Sequence, residues 1–113
     1  MRLTTNIKQQ GSEIKRLMIY DSEDGVYLFE YATEEDSSAL CDYLFEKVGD
    51  AIDSCYEDYG VEKSDWKLIP DPLENCQHDW IQPVRVKGQN LGQSKRGMFE
   101  KLEDGEWVDF NNY

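Results

Sequence analysis

Basic residues are the scarce class in this chain: 12 lysines and arginines stand against 24 aspartates and glutamates, a formal net charge of −12 over 113 residues. Recognition of a phosphate backbone needs a basic footprint, so the composition argues against direct nucleic-acid binding. It argues equally against docking on an anionic membrane. No apolar run has the length of a signal core or a membrane-crossing helix, and the expectation is a soluble, cytoplasmic protein. Histidine occurs once and cysteine three times. Without a signal segment, an odd cysteine count reads as reduced thiols in a cytosol. Internal repeats and low-complexity linkers are absent as well. So are a phosphate-cradling glycine loop, a nucleophile elbow and the basic-aromatic pattern of an RNA-binding module.

What is present supports a folded chain. Hydrophobic residues make up 39%, and tyrosine, phenylalanine and tryptophan number 7, 4 and 3, more than a disordered acidic tail carries. The length suits one domain, which buries a little under ~70% of its unfolded surface. The charge is uneven. Residues 21–74 hold 17 acidic and 3 basic residues, whereas residues 1–20 and 75–101 are each net positive by 3. A basic partner is the complement of such a surface.

Residues 1–15, polar and weakly periodic, read as an arm or short strand, and residues 16–113 as a single α+β domain. "RLMIYDSEDGVYLFEY" predicts a hairpin turning at Asp21–Gly25, with Tyr27, Phe29 and Tyr31 on one face and Val26 and Leu28 on the other. A long helix is then expected from an N-cap at Thr33 to a Schellman ending at Gly60 and Val61. Its apolar arc comprises Leu40, Leu44, Val48, Ala51, Ile52, Cys55 and Tyr59. Gly49 inside that helix costs about 1 kcal/mol relative to alanine, and the pattern offers no reason for it. A connection with one short helical turn at Ser64–Leu68 follows, then a strand around Val84–Val86 and a polar, glycine-rich mobile loop, "GQNLGQSKRG". "MFEKLEDGEWVDF" closes as a second hairpin. The predicted fold is α+β: an antiparallel sheet of four to five strands, ordered ββαβββ, with one long amphipathic helix on one face.

On that helix Asp42, Glu46, Asp50, Asp53 and Glu57 share an arc of about 80°, and Glu35 falls within it. Like charges four residues apart repel by a few tenths of a kcal/mol. Acids in the last turn also oppose the helix dipole. These six residues are therefore the candidate partner-binding set, a negative face for a basic cleft. Five carboxylates over ~22 Å are too sparse to imitate a whole duplex, at one charge per ~1.7 Å, but suffice to plug one basic site. Tyr43, Tyr56, Trp66 and Trp80 are candidate aromatic anchors.

Other constellations carry less. Cys41 and Cys55, placed on one helix ~21 Å apart, cannot pair or share a metal. Cys76 lies two residues from His78, a spacing open to a Cys/His nucleophile pair or a metal fragment, but zinc needs three or four protein ligands. A turn with ordinary backbone hydrogen bonds accounts for the segment as well. "DSEDG" lacks the glycine and glutamate positions of a calcium loop. No metal, cofactor or catalytic residue is assigned.

The profile as a whole, a small acidic α+β domain without catalytic motifs, resembles the immunity proteins of bacterial polymorphic and contact-dependent toxins. That resemblance implies a stoichiometric inhibitor covering the active site of a basic toxin or nucleic-acid-handling protein. Phage anti-defence inhibitors, anti-CRISPRs among them, share the profile and are the alternative. A small enzyme using Cys76 and His78 is the alternative from another class.

Overall fold

A computed structural model describes residues 1–86 and 98–110. "GQNLGQSKRG" lies outside the described residues. The strands are β1 (Arg2–Asn6), β2 (Arg16–Ser22), β3 (Gly25–Tyr31), β4 (Cys41–Phe45), β5 (Lys67–Ile69), β6 (Val84–Val86), β7 (Phe99–Glu103) and β8 (Glu106–Phe110). The helix α1 (Val48–Tyr59) follows β4, and a short 3₁₀ turn (Lys63–Asp65) precedes β5. The fold is α+β. One antiparallel sheet has the order β4-β3-β2-β1-β5, and a second has the order β6-β7-β8. The chain forms two compact units, Met1–Glu35 with Ala39–Asp71, and Asp36–Ser38 with Pro72–Tyr113. Among the described residues no helix is long and apolar enough to cross a membrane.

In the first unit, alternation along β2 and β3 sets the two faces of the sheet, as the hairpin pattern anticipates. Leu17 lies opposite Glu30, and Ile19 opposite Leu28. With Val26, Ile7, Ala51, Cys55 and Val61 the apolar members form the core under α1. Full burial of a leucine or isoleucine stabilises by roughly 1.5–3 kcal/mol, so this cluster dominates the unit. On the opposite face Arg16, Met18 and Tyr31 are also buried. The Arg16 guanidinium lies 3.6 Å from the centre of the Tyr31 ring. The hairpin turns through Glu23 and Asp24 into Gly25, whose φ of +137° is closed to most L residues.

Of the two readings offered for residues 1–15, the strand is the one found. β1 lies between β2 and β5, Ile7 is buried, and the Ile7 amide donates to the Lys15 carbonyl at 2.8 Å. The arginine of that polar stretch is accommodated, since buried Arg2 donates from Nε to the Pro70 carbonyl at 2.8 Å.

The expected long helix is shorter by its first half. Thr33 does accept the amide of Glu35, at 3.2 Å, but it closes a local turn instead of capping a helix. Residues 41–45 then run as β4 along β3, with Leu28 opposite Tyr43 and Phe29 opposite Asp42. Two facts decide against the helix there. Serines 37 and 38 are weak helix formers, and Cys-Asp-Tyr-Leu-Phe alternates with aromatic side chains that suit a pleated surface. Leu40 and Leu44, placed on the apolar arc, are instead 63% and 64% exposed. Gly49 now has its explanation: it stands in the first turn of α1, where a helix loses least by its presence. The C-terminal end is placed as read. Gly60 (φ 68°) donates to Tyr56, the 5→1 bond of a simple αL cap in place of the expected Schellman pair, and the buried Val61 donates to Cys55.

The second unit is built on the hairpin β7–β8. Asp104 and Gly105 both have positive φ, at 50° and 83°, the conformation of a two-residue type I′ turn. Arg85 on β6 pairs with Glu100 at 2.7 Å and stacks over Trp107 at 3.7 Å. Asp36 accepts the amides of Ile81 (2.9 Å) and Gln82 (2.7 Å), which fixes residues 36–38 within this unit.

Candidate interaction surface

α1 carries half of the acidic set read from the sequence. Asp50, Asp53 and Glu57 lie within an arc of about 60° of the helix surface, all exposed. The other three are elsewhere. Glu46 is exposed in the short turn between β4 and α1. Asp42 stands on β4 opposite Phe29, and so points to the sheet face away from α1. Glu35 sits in the bend after β3, where its carbonyl accepts Arg16 Nη2 at 3.3 Å. A single stripe of six is therefore corrected to a helical trio with three outliers, because residues 35–46 are not helical.

The trio does not stand alone. Asp58 and Glu62 are exposed beside it, and the helix ends at Gly60 with no basic residue in its last turn. The partial negative charge of the helix C-terminus thus adds to the acids there, with no base in the helix's own last turn to offset it. Tyr56, 56% exposed, projects from the same turn. It borders a hollow of about 470 Å³ that also includes Lys8, Glu57, Asp58 and Asp65. It also lines a second hollow of about 450 Å³ together with Asp53, Glu62 and Lys63. Lys8 is engaged by Asp65 at 3.3 Å. The Glu62 backbone N–H, and then Lys8, hold the Asp65 carboxyl below the usual range. Among the described residues, Asp42, Glu46, Asp50, Asp53 and Glu57 make no ion pair. An exposed phenol ring flanked by carboxylates is suited to a lysine or arginine side chain, which the acids attract and the ring face accepts.

Of the other anchors, Tyr43 is 50% exposed, Trp80 is buried at 7%, and Trp66 packs against the core. The Trp80 indole donates to Ser38 Oγ at 3.1 Å.

Beneath the surface is a group the sequence reading did not single out. Glu30, only 7% exposed, shares strand parity with Val26 and Leu28 and so faces α1. That parity was its signal, a carboxylate in line with core residues. Tyr59 donates its hydroxyl to Glu30 at 2.5 Å, and Cys41 donates its thiol at 3.1 Å. Burial, and then the Glu30 acceptor, push the Tyr59 phenol up. The Glu30 hydrogen bond, then burial, push the Cys41 thiol up. Burial, reinforced by the Glu30 charge, pushes Cys55 up to about 12. Cys41 and Cys55 are thus not on one helix, as expected, but on β4 and α1, both within the influence of one carboxylate. Groups held protonated in this way serve as donors, not nucleophiles.

The Cys76–His78 pair shows no activation either. Cys76 is buried, His78 is exposed, and burial pushes the Cys76 thiol up despite a lowering contribution from Arg85. Among the described residues no group of three or more histidine, cysteine or carboxylate side chains is arranged to hold a metal ion.

Comparison with protein-family models, with curated proteins and with solved structures gives no match to this chain.

Proposed function

We propose that this chain is an acidic binding protein that neutralises a basic protein partner, in the manner of an immunity protein covering the active site of its toxin. The observation that carries this reading is the C-terminal half of α1. Asp53, Glu57 and Asp58 surround an exposed Tyr56 at the negative end of a helix whose last turn has no base. That arrangement works against helix stability. It matches the needs of an interface, with an aromatic anchor inside a field that steers a cationic partner. The reading through Cys76 and His78 draws no support from a buried thiol shifted away from reactivity.

The test is rescue. The chain is co-expressed with the product of a neighbouring gene that is toxic on its own. Growth is expected with the natural chain, and loss of growth with Asp53→Lys, Tyr56→Ala and Glu57→Lys combined. Circular dichroism establishes that the variant is folded. Full rescue by the folded variant would remove the helix surface from the interface.

A further inference from the structure

We propose that β4 is a docking edge, where an extended lysine- or arginine-bearing segment of a partner protein adds to the five-stranded sheet as a sixth strand. This rests on the reading of the chain as an acidic binder and supplies the mode of attachment.

The sheet ends at β4 on one side and β5 on the other. An edge strand presents backbone N–H and C=O groups with no strand to pair them, and proteins usually blunt such edges with short length, lysine, proline or a bulge. β5 has these protections. It is three residues long, begins with Lys67 and is followed by Pro70. β4 has none of them. Its five residues, Cys-Asp-Tyr-Leu-Phe, contain no lysine or proline, and its register with β3 is unbroken from Val26↔Phe45 to Glu30↔Cys41. Leu40, Tyr43 and Leu44 leave 63%, 50% and 64% of their surface to solvent along it. Both faces of the strand therefore offer apolar contact to an added neighbour, Tyr43 on the α1 side and Leu44 on the other.

Charge selects the occupant. A second copy would bring two chains of net charge −12 together, each with Asp42 on the pairing strand. A cationic segment meets Asp42 on one face, Glu46 at the strand end, and the acids of α1, which packs against β4. Main-chain hydrogen bonds would supply affinity, and alternate side chains specificity. The segment that fits alternates aliphatic and basic residues, because successive side chains of a strand fall on opposite faces.

The experiment uses the full chain and three heptapeptides: alternating lysine and valine, the same peptide N-methylated on every second backbone nitrogen, and alternating glutamate and valine. Hydrogen exchange of the amides at 41–45 and the binding constants are the readouts. The expected result is at least tenfold slower exchange at β4 with the lysine peptide, and binding at least tenfold weaker for each of the other two. Equal binding by the N-methylated peptide would overturn strand addition while leaving the acidic-binder reading standing. Equal binding by the glutamate peptide, with β4 protected, would leave strand addition standing and overturn the charge reading. Absence of β4 protection by any peptide would overturn the proposal, as would a dimer of the chain alone with β4 protected.

Discussion

Glu30 spends its burial on two donors and no cation. A carboxylate so placed is tolerable only while the Tyr59 hydroxyl and Cys41 thiol remain to satisfy it. Tyr59→Phe removes one donor and keeps the ring, and its expected cost is about 1–3 kcal/mol, read from urea denaturation. An unchanged midpoint would mean that solvent already satisfies Glu30. The same cluster sets an alkaline limit. Cys55 has an ordinary value of 9.0 and is held at about 12 in the fold. Below pH 9 the thiol is protonated in both states and stability does not depend on it. Above that, the unfolded chain releases the proton while the native state retains it. Stability therefore falls through the window up to pH 12, at about 1.4 kcal/mol per pH unit for one such group. Tyr59 and Cys41, also raised, add losses of the same sign. Urea midpoints constant to pH 9 and declining above it, with a shallower decline in Cys55→Ala, are expected. A flat profile to pH 11 would contradict the burial of these groups. None of this was legible from residue types alone, because Glu30 looks like one more acid until its parity with Val26 and Leu28 is noticed.

At the scale of elements, legibility followed the strength of local signals. Both hairpins were readable because Gly25 and Gly105 follow turn-forming residues between runs of fixed parity. The place where α1 ends was readable because Gly60 takes the left-handed conformation and Val61 the apolar contact behind it, although the bonding is a simple αL cap and not the expected Schellman pair. Its start was not. Residues 40–59 place apolar side chains at helical spacing, while residues 41–45 also alternate with period two, and pairing with β3 decided between them. Two leucines and three acids move together, since a helical period places Leu44, Asp42, Glu46 and Glu35 by the same rule as Leu40 and strand pairing replaces that rule for residues 41–45. A pair of substitutions tests the corrected assignment. Leu28→Ala, at 3% exposure, is expected to cost ~2–5 kcal/mol. Leu44→Ala, at 64% exposure, is expected to stay within about 0.5 kcal/mol of the parent. Thermal melts of the two variants suffice, and a large loss in Leu44→Ala would restore that residue to the core.

Across the whole molecule, the charge asymmetry was visible from composition, but its concentration was not. An excess of acids over residues 21–74 says only that some surface is negative. The fold gathers Asp50, Asp53 and Glu57 on α1 and sends Asp42 to the other sheet face. Steering depends on the local field at the docking site more than on net charge, so equal changes in net charge should have unequal effects. Asp53→Lys with Glu57→Lys, and Glu13→Lys with Glu74→Lys at exposed positions outside α1 and β4, each shift the chain by the same amount. The first pair is expected to slow association with a cationic protein partner at least tenfold at low salt, and the second pair by a smaller factor. Both effects should shrink toward unity as salt shortens the Debye length to about 8 Å and below. Stopped-flow association rates at several ionic strengths give the comparison. Identical slowing by the two pairs would show that only total charge matters, and the helix surface would lose its claim as the place where the partner arrives.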